Sequence, residues 1–209
     1  MTRLAAISSV VFALLSCRFA FVTPQTQPAA PQQPVYRDIE GYAVLSVLLD
    51  QATSKAKLST IDISVITTSE GEVVGSASCL KVPEDFQSAA RNFHERNRSR
   101  LRLTDEFSLK VKYKLREKPD VQSPPQAPGE QQLEEEFAAR VFFTTSAVGF
   151  DQTKTHAIAY VSAYCGVMCA GGAYHLLSKD KQGWKEIPDS PKCEWMSQKQ
   201  DSSDSRGTS

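Results

Sequence analysis

Ten residues, 107–116, alternate strictly between apolar and polar side chains. Successive side chains of a β-strand point to opposite faces, so this period of two predicts a strand with one buried and one solvated face. A helix would scatter the lysines around its whole surface. The chain is therefore expected to build a sheet. The apolar set is Phe107, Leu109, Val111, Tyr113 and Leu115, and the polar set is Ser108, Lys110, Lys112, Lys114 and Arg116.

Two other segments have helical periodicity. The segment 37–54 carries apolar residues near the helical period and has Asp38 in position to cap its start. In the segment 83–101, Pro83 suits a first helical turn, and Phe86 and Phe93 lie on one apolar stripe. The sequence therefore predicts two helices that cover a sheet.

Five further segments are rich in β-branched or apolar residues and are separated by short polar turns. They are residues 60–68, 139–146, 156–164, 173–178 and 184–187, and the last two are expected to form a hairpin. Consecutive strands joined by short turns favour antiparallel pairing. The predicted fold is therefore α+β, with an antiparallel sheet of about five or six strands and two helices packed on one side.

The N-terminus has the layout of an export signal. One basic residue, Arg3, precedes thirteen apolar or small uncharged residues at 4–16. That stretch is shorter than the roughly 20 apolar residues that a transmembrane helix needs. We therefore expect a signal peptide at 1–17 and a Pro/Gln-rich linker at 18–36. A single domain at 37–195 follows, with a flexible insertion at 118–136 and a disordered tail at 196–209.

The residues before Cys17 allow more than one kind of export. Residues 14–17, Leu-Leu-Ser-Cys, resemble a bacterial lipobox, which would place a lipid on Cys17 and make the membrane a partner. Secretion without a lipid is the second interpretation. A third is a bipartite plastid leader cut before Phe21, although Arg18 fits that context poorly. The expected location is extracytoplasmic, either as a lipoprotein of the bacterial cell envelope or as a secreted protein.

Charge is balanced overall but uneven along the chain. The 209 residues carry a formal net charge of zero, so nothing global points to nucleic acid. Residues 91–116, however, hold nine basic and three acidic residues. Two interpretations stay open: a face that binds anionic polymers or lipid headgroups, or a wet face whose lysines discourage edge-to-edge aggregation. The anion-binding candidates are Arg98, Arg100, Lys110, Lys112 and Lys114, and few aromatics lie among them, which counts against nucleic acid.

Four cysteines remain besides Cys17. An even number in an exported chain favours disulfides, and four cysteines allow three pairings. We expect Cys165–Cys169, which closes a five-residue loop, and Cys79–Cys193. The alternatives are a redox dithiol and a zinc site formed by Cys165, Cys169, His175 and Cys193. The spacing of the cysteines matches neither motif.

No catalytic motif is present in the sequence. There is no Gly-x-Ser-x-Gly elbow, no His-Glu-x-x-His pair and no phosphate-cradling glycine loop, so no catalytic residue, metal or cofactor is predicted. The expected function is a non-enzymatic binding or structural role outside the cytoplasm. The alternatives are a secreted enzyme that uses Cys165, Cys169 and His175, and an anion-binding module that uses the basic face 91–116.

An ordered series of motifs in the last third resembles a known group of proteins. Residues 146–151 contain Val-Gly-Phe-Asp, 155–161 form an apolar strand, 165–177 contain Cys-Gly and a glycine pair, and 183–185 read Gly-Trp-Lys. This pattern resembles a family of uncharacterised exported bacterial proteins. The resemblance covers about residues 37–187, and Ala170 stands where the family commonly has glycine. It implies an α+β domain and export, and it implies no activity.

Overall fold

The computed structural model describes residues 33–72, 80–119, 141–165, 169–188 and 193–197. The predicted signal peptide, the linker before residue 33 and the insertion beyond residue 119 lie outside the described residues. Cys17, Cys79 and the tail beyond residue 197 lie outside them as well.

Both predicted helices are present. Helix α1 spans Ile39–Lys55, and the carboxylate of Asp38 caps it by accepting a hydrogen bond from Gly41 N at 3.2 Å. Helix α2 spans Gln87–Arg96 after a short 3-10 turn at Glu84–Phe86. It ends five residues before the predicted boundary. Among the described residues, neither helix is both long and apolar enough to cross a membrane.

Eight strands form one sheet in the described part of the chain. Six of them follow the order β2-β1-β3-β5-β6-β7, while β4 pairs with β5 and β8 pairs with β6. The strands are β1 (Thr60–Ser64), β2 (Lys112–Arg116), β3 (Phe142–Thr145), β4 (Gly149–Phe150), β5 (His156–Tyr164), β6 (Ala170–Asp180), β7 (Gly183–Glu186) and β8 (Glu194–Met196). The predicted α+β class, the six main strands and the β6–β7 hairpin are confirmed.

The sheet is mixed, so the prediction of a purely antiparallel sheet is wrong in this respect. Strand β1 runs parallel to both β2 and β3, whereas β3, β5, β6 and β7 pair antiparallel in turn. The chain between β1 and β2 includes α2, and a connection through a helix returns the chain in the same direction. The predicted antiparallel pairing rested only on the short turns between the C-terminal strands.

The two helices lie against opposite faces of the central hairpin, not on one side as predicted. Ala157, Ala159 and Val161 of β5 pack in one core with α1, and the alternate residues Ile158 and Tyr160 pack in a second core with α2. Neighbouring residues of a strand face opposite ways, so these are the two faces of the sheet. The α1 core includes Tyr42, Leu45 and Leu49, and the α2 core includes Phe86, Ala89 and Phe93.

The alternating segment 107–116 is only half strand. Its exposure alternates as predicted, with the apolar residues buried or half-buried and Lys110, Lys112 and Lys114 exposed. Ladder pairing, however, begins only at Lys112. Before Lys112, side chains of α1 accept hydrogen bonds from the backbone of this segment. Ser108 N donates to Ser46 Oγ at 3.0 Å, and Lys110 N donates to Asp50 Oδ1 at 2.9 Å. In the first half of the segment 107–116, side chains of α1 therefore take the hydrogen-bonding role of a partner strand.

Both ends of the described domain extend past the predicted boundaries. Tyr36, which the sequence places in the linker, is 1 % exposed and lies in the α1 core. Its N–H donates to Arg102 O at 2.8 Å. At the other end, Ser197 N donates to Ala170 O at 2.8 Å just after β8. The ordered domain therefore includes residues assigned to the linker and to the tail.

Candidate functional site

An open polar groove of about 460 Å³ lies between α2 and the loop that joins β4 to β5. One wall is the polar face of α2, and the other is the loop after Phe150. The start of α1 contributes its capping residue. The groove is lined by Asp38, Ser88, Arg91, Asn92, Glu95, Arg96, Phe150, Asp151, Gln152 and Lys154.

Asp38 holds two cations at the floor of this groove. Its carboxylate lies 2.6 Å from the guanidinium of Arg96 and 3.7 Å from Lys154 Nζ. Burial acts to raise the pKa of Asp38, but the hydrogen bond and charge of Arg96 outweigh it, so the pKa is lowered. The guanidinium also lies over the ring of Tyr36, 5.3 Å from its centroid. One carboxylate thus faces two cations and links α1 to both walls.

Asp151 fixes the loop wall. Its carboxylate accepts hydrogen bonds from Thr155 N at 2.7 Å, His156 N at 3.0 Å and Thr153 Oγ1 at 2.6 Å. Burial acts to raise the pKa of Asp151, but these donors outweigh it and hold the pKa far below its usual range. The carboxylate is therefore an internal brace of the loop, and its acceptor sites are largely occupied.

The loop is also tied to the helix wall. Phe150 N donates to Asn92 Oδ1 at 2.9 Å, which joins β4 to the middle of α2. Lys154 Nζ lies 5.3 Å from the centroid of the Phe150 ring. Both walls are thus held in place by protein contacts.

Two charges in the groove are free to meet a ligand. Arg91 and Glu95 are exposed and lie one turn apart on the same face of α2. Neither forms an ion pair with any residue that the structure describes. The groove therefore offers one unpaired charge of each sign beside the cations held by Asp38. Such an arrangement can bind a polar molecule, and the described lining contains one hydroxyl, that of Ser88, and no histidine.

The cysteines of the described chain are oxidised. Cys165 and Cys169 form a disulfide with Cα atoms 5.0 Å apart, as predicted. Cys193 is also disulfide-bonded, and its partner lies outside the described residues. Leu80, the neighbour of Cys79, packs in the same core as Cys193. The predicted Cys79–Cys193 pairing is compatible with this placement and stays a prediction.

His175 lies far from Cys165 and Cys169, with which the enzyme alternative combines it, and the third cysteine of the zinc alternative, Cys193, is in a disulfide. His175 faces Ala159 across the β5–β6 ladder, whereas Cys169 immediately precedes β6. Cys169 and His175 are six positions apart in extended chain, which is about 20 Å. His175 Nδ1 instead lies 2.8 Å from Glu186 Oε1. Among the described residues, no group of three His, Cys, Asp or Glu residues is placed to hold a metal ion.

The predicted basic residues lie in two segments, the turn after α2 and the segment that ends in β2. Lys110, Lys112 and Lys114 lie together on one side of the segment that ends in β2. Arg100, by contrast, is paired with Glu72. Arg98 is exposed in the turn after α2. The lysines thus form one exposed row, whereas Arg100 is already paired with an acidic residue.

The sequence did not predict the groove. Asp38 was expected only to cap a helix, and Asp151 was noted only as part of the Val-Gly-Phe-Asp motif at 146–151. A weak signal existed in the helical spacing of Arg91 with Glu95 and of Asn92 with Arg96, since residues four apart share a helix face. Nothing in the sequence showed which loop would lie opposite that face.

Comparison with known proteins finds no match to this chain among family models, curated proteins or solved structures.

Proposed function

We propose that this protein is an exported, non-enzymatic binding domain, either anchored to a membrane through a lipid on Cys17 or secreted. The observation that carries the proposal is the oxidation of every cysteine in the described chain: Cys165, Cys169 and Cys193 are all in disulfides. Disulfides persist in oxidising compartments and are rare in the cytosol. The uncharged segment at residues 4–16 supplies a route to such a compartment.

The groove between α2 and the β4–β5 loop is the proposed binding site. Its walls are braced by Asp38 and Asp151, so a ligand would meet a largely preformed surface. Arg91 and Glu95 supply unpaired charges of opposite sign. The ligand class that suits this pattern is a small polar molecule with both acidic and basic groups.

The alternative of a secreted enzyme has less support. A cysteine nucleophile acts as a thiolate, and the disulfide removes that thiolate from Cys165 and Cys169. The Cys165–Cys169 disulfide would have to be reduced before either cysteine could act as a nucleophile.

The location is tested by fractionating cells that express the full chain and measuring the mass of its N-terminus. We expect an extracytoplasmic protein that is cut before Cys17 and carries lipid there, or one that is cut without lipid. The Cys17→Ser variant is the matched control, because it removes the lipid acceptor and keeps the hydrophobic segment. Uncleaved protein with reduced thiols in the cytosol would contradict the proposal.

The binding site is tested by thermal shift with a panel of free amino acids and dipeptides. We expect at least one compound to raise the melting temperature of the wild type and not that of an Arg91→Gln/Glu95→Gln variant. Arg98→Gln is the control, since Arg98 is exposed in the turn after α2 and is not part of the groove lining. If no compound shifts the wild type, or if the groove variant responds equally, the groove is not the binding site.

A further inference from the structure

Strand β2 is the outermost strand of the described sheet, and one of its edges is unpaired there. Its bonds to β1 involve the even-numbered residues: Lys112 N donates to Ser59 O at 3.3 Å, and Arg116 O accepts from Val65 N at 2.8 Å. In a parallel ladder, alternate residues direct their backbone groups to opposite sides. The N–H and C=O groups of Tyr113 and Leu115 therefore point away from β1, toward the open edge.

A row of cations accompanies this edge. Lys110, Lys112 and Lys114 are exposed, and repeating side chains on one face of a strand are about 7 Å apart. None of the three forms an ion pair with a residue that the structure describes. The nearest acidic residue in the register is Asp62, opposite Lys114, and its carboxylate lies 2.8 Å from Arg116 Nε. The lysine charges are thus not neutralised within the sheet.

We propose that this edge pairs with an extended acidic segment of a partner protein, which adds a strand beside β2. The open N–H and C=O groups would supply main-chain hydrogen bonds, and the lysine row would select acidic side chains at every second position of the partner. Charge complementarity identifies the occupant as acidic, and the main-chain groups require it to be an extended peptide.

The same lysines disfavour a second copy of this chain as the occupant. Two β2 edges brought together would place two lysine rows side by side, and like charges opposite one another destabilise a strand pair. An acidic strand reverses the sign of that interaction. The positive charge of the lysine row therefore disfavours self-pairing and favours an acidic partner.

The test measures binding of the full chain to a fluorescent eight-residue peptide in which glutamate alternates with threonine. We expect the peptide to bind and its lysine counterpart not to bind. In a Lys112→Gln/Lys114→Gln variant, loss of two cross-strand charge pairs should weaken the affinity for the peptide about tenfold. The control is Lys81→Gln/Lys181→Gln, which removes the same charge from two exposed positions outside β2 and should leave binding unchanged.

A second peptide separates strand addition from simple charge attraction. N-methylation at alternate backbone nitrogens keeps every carboxylate and removes the donors that face β2, so it should abolish binding. Equal binding of the methylated peptide, or of heparin in its place, would show that the lysines attract any polyanion and would overturn the proposal. It would also be overturned if the glutamate peptide failed to bind.

Discussion

The side chain of Asn97 forms two hydrogen bonds with the backbone of Ala147. Its Oδ1 accepts from Ala147 N at 2.8 Å, and its Nδ2 donates to Ala147 O at 2.9 Å. The same Nδ2 donates to Phe93 O at 2.8 Å, in the last turn of α2. Asn97 and Ala147 are both fully buried. One amide thus joins the end of α2 to the turn between β3 and β4.

Replacing Asn97 with alanine should strongly destabilise the domain. The change would leave the buried N–H and C=O of Ala147 without these partners, and each such group costs about 1–3 kcal/mol. We expect the free energy of unfolding to fall by about 3 kcal/mol, measured by urea denaturation. Arg98→Ala, at the exposed neighbouring position, should change it by no more than about 0.5 kcal/mol. A loss below about 1 kcal/mol for Asn97→Ala would mean that water replaces the amide.

Gly149 in β4 should not tolerate a side chain. A Cβ atom there would lie against the backbone N and Cα of Phe93 in α2, which are not free to move as a flexible side chain would be. Gly149→Ala should therefore separate α2 from the sheet and lower stability by about 3 kcal/mol. Gly71→Ala is the matched control, since a Cβ at Gly71 would meet nothing within 4 Å. Equal melting temperatures for the two variants would contradict the close packing of α2 on β4.

The brace at Asp151 should make stability depend on pH in acid. The pKa of this carboxyl is lowered in the folded state, so the unfolded chain takes up its proton first as the pH falls. The stability from Asp151 is therefore complete well above the unfolded pKa of about 3.9, and it is lost as the pH falls toward the folded value. Asp151→Asn should cost about 2 kcal/mol at pH 7.

That difference between wild type and Asp151→Asn should shrink steadily below about pH 5. Urea denaturation at pH 7, 5, 4 and 3 measures it. A difference that stays constant over this range would show that the charge of Asp151 is not what braces the loop.

The two predicted disulfides should differ in their contribution to stability. Removing Cys165–Cys169 by a double serine substitution frees a loop of only five residues, which costs about 2 kcal/mol or less. Cys193→Ser would open a loop of more than a hundred residues if the partner is Cys79, and should cost about 5 kcal/mol. Peptide mapping of the unreduced protein, combined with thermal denaturation of both variants, checks the pairing and the ranking. A larger loss for the short loop would contradict the ranking.

Local patterns predicted the elements well where one interaction decides the structure. Asp38 caps α1 because a carboxylate before an apolar helical stripe satisfies free backbone donors whatever the rest of the chain does. The exposure of Lys112 and Lys114 follows from their alternation with apolar residues in the same way. The β6–β7 hairpin was likewise marked by its short polar turn.

The predictions failed where distant segments compete for the same groups. Residues 107–111 have a strand pattern, but Ser46 and Asp50 of α1 take two of their N–H groups, so the ladder begins only at Lys112. In β5, apolar side chains on both faces required a helix on each, and the sequence did not show which helix covers which face. The lysines stay together because they alternate with apolar residues along one continuous segment, whereas Arg100 forms an ion pair with Glu72, which lies 28 residues earlier.

By itself, the sequence determined the α+β class, the capped first helix and the alternation of the lysine row, because each depends on residues close together in the chain. Only the tertiary structure decided the direction of β1, the opposite placement of the helices and the groove that unites Asp38, Arg96 and Lys154. Those features depend on contacts between residues that are tens of positions apart. Such contacts form only when the whole core packs, and no local pattern contains that information.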